Sequence, residues 1–446
     1  MHFNSQKFFV FGLSLSGTCA AEKLLSLGAD TYVYDESEKE TTIKAAASLA
    51  EKGAKTVSGD AREIINSCDV IIVSPGVPID HPLLVYAKKQ EKRIIGELEF
   101  GFLFTRAPIV AVTGTNGKTT TCSLISAILT ESGVKNKLLG NYGTPLTENG
   151  EELTERDVAV VEVSSFQLET VRSFCPHIAV ELNVTSDHLD RHYTRENYVF
   201  LKSRLLANLR ESEYAVLNFD DETTRSFGAG LKAKVVWFSL EGAVGGAYLK
   251  DGSIFWFDEK VTDLNGFTLS GDHNAYNALA AVAVAKILKV ENEKIDKALK
   301  GFKGVKHRME LVAEKNGVKF FNDSKSTNVD SALKAIASMT VPTVLILGGK
   351  SKNEDYKPIF EAVKNSAVKK VVLCGEDCFR MLSAAKDCGY TDVVLCEDFV
   401  AAIKIAALFA DKGDAVLLSP ATASFDRFFN YEERGEKFCR IVEKLC

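Results

Sequence analysis

The stretch Ile109-Val-Ala-Val-Thr-Gly-Thr-Asn-Gly-Lys-Thr-Thr120 begins as an apolar run and ends in a glycine-punctuated polar loop. Its first four residues read as a buried strand, and an amphipathic stretch near Thr119–Glu131 reads as the helix that follows. A phosphate concentrates negative charge, and backbone N–H groups at a helix N-terminus meet it well. Gly114 and Gly117 let Thr115 and Asn116 curl around phosphate oxygens. Lys118 brings a cation to the β- and γ-phosphates, and the Thr119 hydroxyl, with Thr120 beside it, can ligate Mg²⁺. The loop is a variant of Walker A, because the glycine expected five positions before Gly117 is Val112. A chance Gly-Lys-Thr at a helix start is the competing reading. The strand before it and the helix after it weigh against that.

Outward from the loop, apolar runs alternate with amphipathic segments in three α/β blocks. In the central block, Asp157-Val-Ala-Val-Val161 and Ile178-Ala-Val-Glu-Leu182 are further strands, and an Ala-rich helix over about Ala275–Leu288 closes it. Glu162 ends one strand at the carboxyl edge where open parallel sheets bind ligands, the place of a Walker B acid. Asn183-Val-Thr-Ser-Asp-His188-Leu-Asp190 leaves another strand toward that edge, so His188 is either structural or a metal or phosphate contact. Asn274 and Asn277, three apart, share a helix face and can read a purine edge or cap the helix.

The first block has strands at Phe8–Phe11, Thr31–Tyr34 and Val70–Val73, with a helix from about Thr18 to Leu27. An acidic residue, Asp35, lies about 20 positions after the glycine turn, as in half of a dinucleotide fold. However, Gly12-Leu-Ser-Leu-Ser-Gly17 lacks the central glycine of G-x-G-x-x-G. The third block has strands at Val318–Phe321, Val344–Leu347, Lys370–Leu373 and Ala415–Leu418. His307-Arg308 sits just past the second boundary, where arginine can reach phosphates. Asn322-Asp-Ser-Lys-Ser-Thr-Asn328 is either a plain loop or a binding edge. We place the domains at 1–100, 101–302 and 303–446.

The chain has 446 residues, 46% of them apolar and 26% charged. At roughly 150 residues per domain this suits three soluble domains, each with its own core. A formal charge of −6 argues against duplex nucleic acid or an anionic membrane as the main partner. No signal-peptide pattern opens the chain, and no apolar run approaches the ~20 residues needed to span a bilayer. A cytoplasmic protein is expected. Ten cysteines lack C-x-x-C pairs. Cys374, Cys378, Cys388 and Cys396 crowd one region, but their spacing fits no zinc pattern, so free thiols are the reading.

Thr113-Gly-Thr-Asn-Gly-Lys-Thr-Thr120 resembles the ATP loop of the Mur ligases of peptidoglycan synthesis, and the resemblance covers essentially the whole chain. That loop alone does not separate them from folylpolyglutamate synthase. Glu162-Val-Ser-Ser-Phe-Gln-Leu-Glu169, Asn322–Asn328 and Ser419-Pro-Ala-Thr-Ala-Ser-Phe-Asp426 are similar to the members that add D-glutamate. The resemblance implies a Rossmann-like N-terminal domain that binds the uridine diphosphate substrate. It implies a central P-loop ATPase-type domain with a parallel sheet and a Rossmann-like C-terminal α/β domain for the amino acid. It also implies that Lys118 binds ATP phosphates, that Thr119 and Glu162 hold one Mg²⁺, and that His188 and a carbamylated Lys202 serve a second. Without it, Lys202 reads as an ordinary surface lysine. Asn274, Asn277, Arg308, Asp323 and Lys325 become nucleotide-side contacts. Thr327, Lys352, Ser424, Phe425 and Tyr431 become the D-glutamate pocket, with Lys350 as a rival for Lys352. Leu15, Ser16, Glu36, Ser37 and Gly76 become contacts to the uridine diphosphate half, and Asn141 holds the muramoyl part.

The implied reaction joins D-glutamate to UDP-N-acetylmuramoyl-L-alanine through an acyl phosphate, at the expense of ATP. A monomer is expected, with the third domain closing on a hinge when ATP binds. Two rival readings stand beside it: another Mur or folylpolyglutamate synthase-like ligase, and an NAD(P)-dependent oxidoreductase built on the first block.

Overall fold

The computed structural model describes residues 3–267, 271–350 and 354–445. The chain divides into two compact units, Met1–Phe267 with Asn274–Phe302, and Thr268–His273 with Lys303–Cys446. The first unit holds two sheets and the second holds one.

The N-terminal sheet is wholly parallel. Its strands run in the order Lys55–Thr56, Asp30–Tyr34, Lys7–Phe11, Val70–Val73, Arg93–Gly96. The order reverses at Lys7–Phe11, so its carboxyl end is the crevice where this class of sheet takes ligands. Phe8 and Val10 pack to one face, Phe9 and Phe11 to the other, as a strand buried on both sides requires. The helix Leu15–Ser26 starts at that crevice. It can approach because Gly17 has no Cβ; one would lie 1.8 Å from the Gly12 carbonyl oxygen.

The second sheet has nine strands, with Ile109–Thr113 between Ile178–Glu181 and Val158–Glu162. Asn136–Gly140 lies outside Val158–Glu162. On the far side, Tyr214–Asn218, Lys234–Ser239 and Gly246–Lys250 continue the parallel arrangement. Ser253–Trp256 and Glu259–Asp263 then add antiparallel edge strands. Val110 and Val112 feed one core, Ile109 and Ala111 the other. Lys118–Glu131 and the fully buried run Ala278–Val284 of the helix Asp272–Ile287 cover the first of these faces.

In the second unit the strand order is Glu310–Lys315, Val318–Asn322, Ala415–Leu418, Thr343–Leu347, Val368–Leu373, Val393–Leu395. All pairings are parallel except the first. The Cys cluster spreads over a strand end, a helix start and a helix end, and the nine described cysteines are free. Among the described residues no helix is long and apolar enough to cross a membrane.

The strands named from sequence all form, with ends that shift by one or two residues. The antiparallel edges were not named, although their turns were legible. Asp251-Gly252 joins Lys250 to Ser253, and Asn316-Gly317 joins Lys315 to Val318, with both central residues at positive φ. These are the residues that a two-residue hairpin turn of this hand selects.

Candidate functional site

The phosphate loop leaves Ile109–Thr113 and enters the helix at Lys118, with Gly117 as its left-handed N-cap at φ 87°. A Cβ on Gly117 would lie 2.3 Å from Asn277 Oδ1, and one on Gly114 would lie 2.9 Å from Leu182 Cβ. Both glycines are therefore required by space as well as by backbone angle. The loop is pinned from the next strand's exit. Thr115 N–H donates to the Asn183 carbonyl at 2.8 Å and Asn116 N–H to Asn183 Oδ1 at 2.9 Å. The Thr115 hydroxyl donates to the Thr185 carbonyl at 3.0 Å. Lys118 Nζ donates to the Gly114 and Thr115 carbonyls at 2.8 and 2.9 Å. Thr120 is buried, and its hydroxyl has no hydrogen-bond partner.

Glu162, the last residue of its strand, is brought to the helix head because Val158–Glu162 pairs in parallel with Ile109–Thr113. Its Oε2 accepts from the Thr119 hydroxyl at 2.6 Å, and its Oε1 accepts from Asn141 Nδ2 at 2.7 Å. Asn141 N–H also donates to the Glu162 carbonyl at 2.9 Å. Asn277 reaches the same helix, accepting from the Thr121 hydroxyl at 3.2 Å, and donates to Asn274 Oδ1 at 3.4 Å. The Asn274–Asn277 pair thus serves the helix start that carries the loop.

Lys202 is only 1% exposed, so the surface-lysine reading is overturned. It sits on the buried face of Arg195–Ser203 and donates to Thr113 Oγ1 at 3.0 Å and the Gly114 carbonyl at 2.8 Å. Burial, then the neighbouring Lys118 charge, pulls its ammonium down to about 7. His188 caps the short helix Leu189–His192 in the left-handed conformation at φ 53°, with its ring 4.8 Å from that of Phe166. Such a backbone in a non-glycine residue is held by its surroundings.

At the N-terminal crevice, Leu15 and Ser16 open their helix. The Asp35 carboxylate accepts the Leu13 and Ser37 N–H groups at 2.6 and 2.8 Å. It therefore braces the two loops that carry Leu15, Ser16, Glu36 and Ser37. Glu36 meets Tyr34 and His81 at 3.2 Å each. Gly76 is exposed, and a Cβ there would meet nothing within 4 Å.

In the second unit, Asp323 is buried and accepts from the Ser419 hydroxyl at 2.8 Å and Met309 N–H at 3.2 Å. Burial pushes it up to about 6, against the pull of Arg308. Arg308 Nε is itself buried without a hydrogen-bond partner. Lys325 donates to the Tyr431 hydroxyl at 2.8 Å and lies 4.6 Å from that ring's centre. Ser424 is buried, Thr327 half-buried and Phe425 65% exposed. Lys350 pairs through its main chain with Ala423. Lys352 lies outside the described residues.

Family models match three stretches of the chain: the Mur ligase MurD-like N-terminal domain over residues 6–96, the Mur ligase middle domain over 112–285, and the Mur ligase glutamate ligase domain over 307–422. UDP-N-acetylmuramoylalanine–D-glutamate ligase of Thermoanaerobacter sp. (strain X514) is 42% identical, with 100% of each chain covered. The enzyme of the same name from Clostridioides difficile (strain 630) is 38% identical, again over 100% of both. The chain belongs to the Mur ligase family. UDP-N-acetylmuramate-alanine ligase MurC of Thermotoga maritima shares the fold of this Mur ligase, with a TM-score of 0.62 at 19% identity over 98% of this chain and 99% of that one. MurF of Acinetobacter baumannii does likewise, at 0.63 and 19%, over 90% and 88%.

Three residues of the Mur ligase escaped the sequence reading. Glu181, in register with Thr113, is wholly buried with neither carboxylate oxygen hydrogen-bonded, and burial pushes it up to about 8. An acid inside an otherwise apolar strand was the available signal. Arg191 and Arg434 gave none, since an arginine in a polar stretch or amphipathic helix reads as solvated. Arg434 is 1% exposed. Its guanidinium donates to the Ser324, Thr422 and Ala423 carbonyls at 2.9, 3.1 and 3.3 Å, joining the two loops that hold Lys325 and Ser424.

Proposed function

We propose that this Mur ligase joins D-glutamate to UDP-N-acetylmuramoyl-L-alanine with ATP, in peptidoglycan precursor synthesis, as a cytoplasmic monomer. The supporting observation is the cluster at the head of Lys118–Glu131. There, at one helix N-terminus, Lys118 lies against the loop carbonyls and the Thr119 hydroxyl donates to the Glu162 carboxylate. The choice of D-glutamate follows the name shared by full-length relatives at 38–42% identity. We read residues 1–100 as the sugar-nucleotide domain, 101–302 as the ATP domain and 303–446 as the amino-acid domain.

In the first step a carboxylate oxygen of the sugar-nucleotide substrate attacks the γ-phosphorus of ATP. The bond to ADP breaks and an acyl phosphate forms. The D-glutamate amine then attacks the acyl carbon, phosphate leaves, and the amine proton passes to solvent. The two anions of the first step repel each other. Loop amides Gly114 to Thr120 and the Lys118 ammonium offset that repulsion where charge develops. Asn274, Asn277, Arg308, Asp323 and Lys325 complete the nucleotide side. Leu15, Ser16, Glu36, Ser37, Gly76 and Asn141 hold the sugar-nucleotide. Thr327, Lys352, Ser424, Phe425 and Tyr431 hold D-glutamate.

Mg²⁺ fits the residues present. The Thr119 hydroxyl and Glu162 carboxylate, 2.6 Å apart, are hard oxygen donors. A cation of this kind keeps water and substrate phosphate among its ligands and neutralises their charge. His188 and Lys202 would serve a second ion. A Lys202 pulled down to about 7 is substantially unprotonated at neutral pH. The free amine is the form that adds CO₂, releasing a proton to solvent, to give a carbamate, whose oxygens would be available to hold the cation.

Product analysis with UDP-N-acetylmuramoyl-L-alanine, ATP and a panel of amino acids tests the reading. Phosphate release and a new amide are expected with D-glutamate. Turnover with L-amino acids only would reject it.

A further inference from the structure

Arg191 carries out no step described above, yet it is among the most heavily bonded side chains in the first unit. Its Nε and Nη2 form a fork on Glu169, at 3.0 and 2.6 Å. The two side chains are 11% and 5% exposed, so the pair is largely withdrawn from water and its geometry counts for more than at a surface. The guanidinium also reaches main-chain carbonyls. Nη2 donates to the Val77 and Pro75 carbonyls at 2.8 and 3.3 Å, and Nη1 to the Gly76 carbonyl at 3.4 Å. One guanidinium thus gathers three successive carbonyls of the turn that follows Val70–Val73. Its planar set of five donors allows this where an ammonium could not.

The other side of Arg191 is equally fixed. The guanidinium lies 4.9 Å from the centre of the Phe166 ring, against which the His188 ring also packs at 4.8 Å. Tyr193 adds a second tie across the same boundary, donating to Asp80. His188, Phe166 and Arg191 therefore form one block that reaches from the exit of the phosphate-loop edge to the Gly76 turn. Above Gly76 there is open space on the side where a Cβ would point.

We infer that Arg191 is a positioning residue that sets the Gly76 turn for the diphosphate half of the sugar-nucleotide, and so fixes its carboxylate relative to the ATP site. This rests on the reading of Gly76 as a substrate contact.

The test is calorimetric titration of UDP into the full-length protein and into Arg191→Ala. A loss of about tenfold in UDP affinity is expected, with Mg-ADP affinity within about twofold of wild type. In steady state, the KM for the sugar-nucleotide should rise by a similar factor while those for ATP and D-glutamate hold and kcat changes less. Millimolar guanidinium should recover part of the loss. Removing one member of a buried pair can unfold a protein. The double variant Arg191→Met with Glu169→Gln removes both charges and should show the same UDP loss. UDP binding unchanged in the variants, an equal loss for ADP, or no UDP binding by wild type overturns the inference. A clean UDP effect in a protein that ignores D-glutamate would sink the proposed reaction and leave this inference standing.

Discussion

Glu181 pairs in register with Thr113 and Lys202 donates to the Thr113 hydroxyl, and burial drives both toward their neutral forms, to about 8 and about 7. The consequence for stability follows from linkage. An acid whose folded value is raised contributes stability that is whole below the unfolded value, near 4.5. That contribution is lost progressively as pH rises from there through about 8. Lys202 works in the opposite sense but only above about 7, because an unfolded lysine stays protonated to about 10.5. Between pH 5 and 7 the Glu181 term therefore acts alone of the two. Glu181→Gln keeps the shape and removes the titration. Relative to the variant, wild type should lose stability over that interval with a slope of at most about 1.4 kcal/mol per pH unit. Chemical denaturation at several pH values measures it, and parallel curves would mean that Glu181 is ionised or solvated in the native state.

At the scale of elements, the phosphate loop works only if its backbone follows a path that side chains obstruct. Gly117→Ala places a Cβ against Asn277 Oδ1 and a left-handed φ on an L-residue. We expect a loss of about 1–3 kcal/mol in stability and a rise of at least about tenfold in the KM for ATP, read by thermal melts and initial rates. A wild-type KM would show that the loop is not the nucleotide cradle. This element was legible because apolar strand, glycine turn and polar helix start are local patterns. The paired strands beside it were legible for the same reason, down to Glu162 at a strand end. What stayed hidden depends on contacts distant in sequence. Asp35 stands where a dinucleotide fold keeps an acid for ribose, but both of its oxygens accept main-chain N–H groups. Lys202 ends an amphipathic helix whose buried face is defined only once Thr113 lies against it. Arg191 and Arg434 both hold carbonyls from segments more than a hundred residues away, those of Val77 and Ser324, and no window of sequence reveals such a pairing. Family resemblance decided that Asn322–Asn328 reads as a binding edge rather than a plain loop and brought in Ser419–Asp426, whereas the physical link between the two loops, Arg434, came from the fold.

Over the whole molecule, the proposed ligand contacts divide unequally between the two compact units. Leu15, Ser16, Glu36, Ser37, Gly76 and Asn141 all belong to the unit containing Met1–Phe267. The nucleotide contacts do not. Lys118, Thr119, Asn274 and Asn277 lie in that unit, whereas Arg308, Asp323 and Lys325 lie in the other. A ligand that touches one unit stabilises only the openings of that unit, by an amount set by its concentration relative to Kd, about 2.7 kcal/mol at a hundredfold excess. Hydrogen exchange should therefore separate the two ligands. UDP should slow exchange near Leu13–Ser16, Ser37 and Val77, leaving amides beyond residue 303 unchanged. A non-hydrolysable ATP analogue with Mg²⁺ should protect Gly114–Thr121 and, in the same experiment, amides around Arg308 and Asp323–Lys325. Lys118→Ala should erase the protection at Gly114–Thr121. Protection at 114–121 with none in the second unit would strike Arg308, Asp323 and Lys325 from the nucleotide site while leaving the phosphate loop in place.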